Sequence, residues 1–320
     1  MNVPKAGPGK QLNLEQVTWG DLTWINIENP TARETEYLTE NYSFHPLDLD
    51  DCLSRQQRPK IDEYKEYLFI VCHFPVFDKE ARKTNPSQLS VFIGENYLIT
   101  LHKGELKPLV KLFKECQLDE ESQQEYLGPG SVFLLYRIVD RLVDSSFPIL
   151  AKVFDNIEAV EDEIFADRRS GMIKEISILR RDVIAFRRII WPMRAVIGSL
   201  QNKLRRFVKD DTAKQDLEVY FGDMTDHVDK IWDTLDESKE IIEGLNDTYD
   251  SLASNRTNEV MRILTIIGTV LLPLVVVASV YGMNIPLPFQ SSHYALLLVF
   301  VVTLVIVGGM LLFFRRQRWI

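Results

Sequence analysis

Residues 263–314 contain no Asp, Glu, Lys or Arg, whereas residues 1–262 hold nearly all the charge of the chain. A stretch that long without charge does not suit a single core element; it suits two membrane spans. The first reads as Ile263 to Val280, with Tyr281 at its edge, and the second as Tyr294 to Phe314. At the helical rise each is roughly 27–32 Å long, against a hydrocarbon core of about 30 Å. Arg256 and Arg262 precede the first span, and Arg315, Arg316 and Arg318 follow the second. Residues 282–293 carry no Lys or Arg. The positive-inside bias therefore predicts both termini in the cytoplasm and the connecting loop outside, with Tyr294 and Trp319 as interface anchors.

Within the first span, Pro273 removes one backbone donor and should bend the helix slightly, which neighbouring helices can accommodate. Asn258, Thr265, Gly268, Leu272, Val275 and Ser279 are separated by steps of three or four, or their multiples, and share one helical face. Two readings stay open for this stripe: close helix packing, which favours small residues, or the lining of a pore.

Upstream of the span, Leu217, Phe221, Met224, Val228, Ile231, Leu235, Ile242, Leu245, Tyr249 and Leu252 recur at alternating steps of four and three, with Ser238 in the one gap. That heptad run predicts a long helix packed on other helices, and no proline interrupts residues 204–272. The simplest expectation is a helix continuous from Asp223 to Tyr281, entering the membrane from a cytoplasmic bundle. Its other positions are acidic: Asp223, Asp226, Asp233, Asp236, Glu240, Glu243, Asp247 and Asp250. They read either as a solvated face or as a sink for cations below a pore mouth. The net charge of −9 hides a second block, because residues 168–209 are strongly basic. That block could meet lipid headgroups or nucleic acid; pairing with the acidic helix inside one fold is the expectation, and no nucleic-acid partner is expected.

Residues 12–130 mix strand and helix signals. Val17 to Ile27 and Tyr67 to Pro75 read as strands, and Gln88 to Leu101 as a hairpin turning at Gly94-Glu95-Asn96. Thr31 to Asn41, Pro46 to Leu53 and Lys107 to Leu118 read as helices, and from Ser131 onward the pattern is almost wholly helical. His45, Asp48, Asp50 and Asp51 could be a metal cluster, but helix capping and surface charge are the commoner use of such residues. Cys52, Cys72 and Cys116 have no paired spacing, so neither zinc site nor disulfide framework is indicated. The opening residues, Pro/Gly-rich and polar, do not read as a signal peptide. No Gly-rich phosphate loop or nucleophile elbow is present, and no enzyme is expected.

Asn258-Glu259-Val260-Met261, Leu264-Thr265, Pro273-Leu274 and Tyr281-Gly282-Met283-Asn284 resemble the signature of the CorA family of magnesium and divalent-cation transporters. The Gly-Met-Asn triplet falls at the end of the first of two C-terminal spans, after a long charged helix. His45-Pro46-Leu47, Arg58-Pro59-Lys60, Tyr67-Leu68-Phe69 and Val91 to His102 look like that family's N-terminal strands, so the resemblance extends over most of the chain. It implies a CorA-like funnel: an α/β cytoplasmic domain (1–130), a helical cytoplasmic region with a stalk helix (131–262), transmembrane helices 263–281 and 294–314 joined by an external loop 282–293, and a basic tail 315–320. It implies a homopentamer in the plasma membrane (the inner membrane, if bacterial), passing divalent cations through a central pore. Gly282, Met283 and Asn284 would form the selectivity element. Asn258, Met261, Leu264, Thr265, Gly268, Leu272, Val275 and Ser279 would line the pore, with Leu264 and Leu272 as an apolar gate. Asp223 matches the family's regulatory carboxylate between subunits, and Asp78 is the partner acid assigned to it.

The loop departs from the family pattern. It continues Ile285-Pro286-Leu287-Pro288-Phe289-Gln290 with no acid, and Val275 replaces a common polar pore residue. Magnesium is the leading cargo and regulatory ion; zinc, cobalt or nickel, as in the ZntB branch, is the alternative. A membrane-anchored scaffold or sensor that does not conduct is the other.

Overall fold

A computed structural model describes residues 12–54, 57–166, 171–283 and 294–319, with the side chains of 295 and 296 excepted. The chain divides into two compact units, Met1–Leu245 and Asn246–Ile320.

The first unit is built on a six-stranded sheet in the order β1-β2-β6-β5-β4-β3. Its strands are β1 (Leu14–Trp19), β2 (Leu22–Glu28), β3 (Lys60–Glu63), β4 (Leu68–Asp78), β5 (Lys83–Ile93) and β6 (Tyr97–His102). All neighbours are antiparallel except β2 and β6, which run parallel. The expected single strand over 17–27 is instead the hairpin β1–β2. It turns at Gly20, whose φ of 56° lies in the left-handed region that glycine enters without steric cost. The hairpin expected at Gly94-Glu95-Asn96 is present as β5–β6, starting earlier, at Lys83. The edge strand β3 had no counterpart in the sequence reading.

Strand alternation gives the sheet two apolar faces. Ile25, Ile27, Phe69, Val71, Phe92, Ile99 and Leu101 project to one side, where α1 (Ala32–Asn41) and α2 (Pro46–Leu53) cover them through Leu38, Leu49 and Cys52. Phe92 stacks on Phe44 at 4.2 Å and lies 4.6 Å from Phe69; truncating a ring in such a site to alanine typically costs about 3–5 kcal/mol. Thr31 and Glu34 close α1 with a capping box, and His45 caps α2 by accepting from the Leu47 amide. On the other side lie α3 (Lys107–Leu118), α4 (Glu120–Leu127), α5 (Ser131–Asp144), α6 (Ser146–Phe165) and α7 (Met172–Leu204). Fully buried Trp24 meets Phe113 edge-on at 4.8 Å and donates its indole N–H to Thr100 Oγ1. Buried Asp182 of α7 accepts from the Thr84 amide at the start of β5, at 2.5 Å.

The last two helices are α8 (Asp211–Tyr281) and α9 (Ala295–Arg316). Up to Leu245, α8 buries Leu217, Phe221, Met224, Val228, Ile231, Leu235, Ser238, Ile242 and Leu245. These are the heptad positions, including the serine in the gap; Ser238 satisfies its hydroxyl by donating to Thr234 O at 2.8 Å. The acidic and basic blocks meet as expected. Arg187 pairs with Asp236, Arg194 with Asp229 and Arg205 with Glu218. Other members of the basic block turn to the sheet: Lys203 and Arg206 both reach Glu63.

In the second unit, α8 and α9 each contain a stretch long and apolar enough to cross a membrane. Their side chains there are almost entirely exposed on the chain itself. A soluble core helix would bury such a surface, so these helices need lipid or partner copies around them.

Candidate cation site and pore helix

The first candidate site grows from two helices that each present a pair of ionisable side chains one turn apart. Asp140 and Asp144 stand at i and i+4 on α5, and Asp223 and His227 at i and i+4 on α8. Tyr136 of α5, stacked on Tyr220 of α8 at 4.9 Å, holds the two helices side by side next to these pairs. One ligand atom each from Asp140, Asp144 and His227 lies within 4.8 Å of the others. His227 Nδ1 is 3.5 Å from Asp144 Oδ1, and its Nε2 is 3.8 Å from Asp223 Oδ2. The Nδ1 atom is buried and makes no hydrogen bond. Burial, reinforced by the Asp144 charge, pushes the Asp140 carboxyl above the usual carboxylate range. Three carboxylates with one imidazole offer hard oxygen donors plus a nitrogen, a set suited to a small divalent cation. A cation there would relieve both the mutual repulsion of the acids and the unpartnered ring nitrogen.

Asp223 therefore lies beside a cluster whose other members the sequence reading missed. The signal was present as two spacings, Asp140/Asp144 and Asp223/His227. Nothing local says that the two helices meet. Asp78 lies at the end of β4, and its Oδ1 accepts the Glu80 and Ala81 amides at 2.9 and 3.0 Å, closing the β4–β5 turn. It is not part of the Asp223 cluster within the chain.

The second acidic group has a different character. Asp48, Asp51 and Asp62 converge, but Lys60 Nζ reaches Asp51 at 2.6 Å and Asp62 at 2.5 Å. Burial works against the ammonium charge, yet these two carboxylates outweigh it and hold the Lys60 pKa above normal. Asp48 accepts the hydroxyls of Tyr64 and Tyr67 at 3.2 and 3.1 Å. The cation at this cluster is the protein's own lysine: Asp51 pairs with it, Asp48 satisfies the two tyrosine hydroxyls, His45 caps α2 and Asp50 is exposed.

In the second unit, α8 is helical through Tyr281, with Pro273 inside it, and Gly282 and Met283 follow. Asn258, Met261, Leu264, Thr265, Gly268, Leu272, Val275 and Ser279 are all exposed on the single chain. Thr265 donates its hydroxyl to Met261 O at 2.8 Å, so only oxygen lone pairs remain for a further partner. Asn284, with the loop 284–293, lies outside the described residues.

An α/β layer, a long heptad helix running on as an apolar span, and a second apolar helix after Gly-Met-Asn define a membrane transporter of the two-span type. The chain belongs to the CorA-like Mg2+ transporter protein family, which matches residues 19–316. It is 32% identical to the putative metal ion transporter YfjQ of Bacillus subtilis, over 97% of this chain and 94% of that one. It is 31% identical to the cobalt/magnesium transport protein CorA of Thermotoga maritima, over 93% of this chain and 83% of the relative. The complete structure of the CorA magnesium transporter from Methanocaldococcus jannaschii superposes with a TM-score of 0.80 at 25% identity, covering 96% of this chain and 95% of that one. The family is one of transporters, not enzymes, and the chain is a membrane protein with two apolar C-terminal helices.

Proposed function

We propose that this chain assembles as a homopentamer that conducts hydrated divalent cations, magnesium foremost, through a pore lined by the membrane part of α8. The supporting observation is that the family match, over residues 19–316, takes in all of α8 and the Gly-Met-Asn that follows it. Asn258, Met261, Leu264, Thr265, Gly268, Leu272, Val275 and Ser279 share the face assigned to the pore, and Leu264 with Leu272 close it by dewetting. Gly282, Met283 and Asn284 form the outer selectivity element; five Asn284 carbonyls would hydrogen-bond the water shell of an ion that gives up water reluctantly. Both termini are cytoplasmic in this reading.

Asp223, with His227, Asp144 and Asp140, is the regulatory cation site, and Asp78 of a neighbouring copy is the acid assigned across the subunit boundary. A bound ion favours whichever state binds it better, and only by that difference. High internal magnesium should therefore hold the closed state.

A second reading, that the cargo is zinc, cobalt or nickel, rests on the acid-free loop 285–290 and on the imidazole in the cytoplasmic site. Flux in proteoliposomes with a panel of divalent ions, with and without a proton gradient, separates the two. Asn284→Ala should nearly abolish flux with the oligomer intact, and Asp223→Asn should blunt inhibition by internal magnesium. Absence of flux with every ion would leave a non-conducting scaffold or sensor.

A further inference from the structure

A cavity of about 1100 Å³ opens between the segment before β3, the β4–β5 pair and helices α7 and α8. Arg58, Arg188 and Arg194 line it, together with His73, Trp191 and Asp229. The single acid does not balance the three guanidinium groups, because Asp229 is already committed to Arg194 at 2.5 Å. Arg58 and Arg188 are exposed and have no carboxylate within ion-pair distance among the described residues. Arg187, Lys203, Arg205 and Arg206 are each paired with an acid, whereas the two unpaired guanidinium groups on this cavity leave a local excess of about two positive charges. Burial lowers the His73 pKa, so that ring adds hydrogen-bonding capacity and no charge near neutral pH.

Trp191 supplies the other half of the site. Its indole packs 4.9 Å from Trp232 and lies 5.8 Å from the Arg194 guanidinium, yet 60% of its surface stays exposed. An indole that lines the cavity, packs on one neighbour and keeps most of its surface exposed offers area on which a flat ring can stack. Guanidinium groups match phosphate oxygens in fork geometry. A cavity of this size exceeds what a drug-sized ligand needs.

We propose that this cavity binds a nucleoside triphosphate, with Arg58 and Arg188 on the phosphates and Trp191 against the base. Such a molecule is itself a ligand for magnesium through its phosphate oxygens. Combined with the cation-transport reading, the site would couple the transporter to the pool of nucleotide that competes for its ion. The binding claim does not rest on that reading.

The test uses the full chain in lipid nanodiscs with EDTA present, so that cation sites stay empty and no ion flux is measured. Equilibrium dialysis with labelled ATP should show saturable binding that weakens with salt. Arg58→Ala combined with Arg188→Ala should lower affinity by about tenfold or more, as expected for lost charge-assisted bonds. Trp191→Leu should weaken ATP by about tenfold yet leave tripolyphosphate binding unchanged, because only ATP carries a ring to stack. Arg58→Lys with Arg188→Lys should retain part of the affinity, which separates charge from folding. No saturable binding at millimolar ATP, or wild-type affinity in the double alanine variant, overturns the proposal. So does a change of oligomeric state with Trp191→Leu and no effect on ATP, which would make this face an interface between copies. None of these outcomes touches the transport reading.

Discussion

Arg194 donates through Nε to Asp229 Oδ1 at 2.5 Å, tying the middle of α7 to α8, while its guanidinium lies 5.7 Å from the ring centre of Trp232. The two side chains are 33% and 40% exposed, so solvent screens the pair and its coupling should be about 0.5–1 kcal/mol. Arg194 also covers aromatic surface that Asp229 does not. Arg194→Ala should therefore destabilise more than Asp229→Asn, and a double-mutant cycle read by thermal unfolding should return the small coupling alone. Equal losses from the two single changes would show that the ring contacts contribute nothing.

His102 makes the fold sensitive to acid. Its Nδ1 accepts the Gly104 amide at 2.9 Å, so Nε2 carries the proton and donates to Asn26 Oδ1 at 3.0 Å. Burial, assisted by the nearby Lys107 charge, pushes its pKa down to about 4. An unfolded histidine titrates near 6.5, so the unfolded chain takes up this proton first as pH falls. Stability is intact above pH ~6.5 and should fall by up to about 3 kcal/mol on approaching pH 4. His102→Gln should flatten the melting temperature over that range; a slope identical to wild type would place the acid sensitivity elsewhere.

Ser238 occupies the one polar position in the buried heptad run up to Leu245. It is fully buried, and its hydroxyl is satisfied within its own helix. Ser238→Ala removes no contact to another element and should change stability by less than about 1 kcal/mol. Ser238→Leu restores a regular heptad on paper but overfills the site, and should cost about 1–3 kcal/mol. A leucine variant that melts above wild type would mean that the gap is under-packed.

The three cysteines should be silent to aqueous thiol reagents in the native protein. Cys52, Cys72 and Cys116 are buried, and burial raises the pKa of each thiol. A single cysteine introduced at Ser291 should then be the one reactive group, labelled from outside by an impermeant reagent if the loop is external. Protection of that thiol, with labelling at an introduced C-terminal cysteine instead, would reverse the orientation.

What the sequence made legible follows from range. The α8 stripe was readable residue by residue because its period is local and one face is buried. The pairing of basic with acidic blocks was readable because each is long. The Val17–Ile27 region was misread as one strand because its β-forming residues continue through the Gly20-Asp21 turn. Strand β3, Lys60-Ile61-Asp62-Glu63, was missed because an edge strand with charged residues carries no alternating signal. The cluster around His227 was half seen: Asp223 was named, but Asp140 and Asp144 join it only through the packing of α5 on α8.

The parallel pairing of β2 with β6 has a consequence for synthesis. Thr23 to Glu28 pair locally with β1 but cannot find their β6 partners until Tyr97 to His102 have been made, so the N-terminal hairpin waits for the rest of the sheet. Every strand among the described residues nevertheless lies between Leu14 and His102, far ahead of the uncharged stretch that starts at Ile263. On the ribosome the sheet can close before any span reaches the insertion machinery. A defect in the sheet would then act upstream of the bilayer, as a failure of biogenesis, without altering a single residue of the two apolar helices.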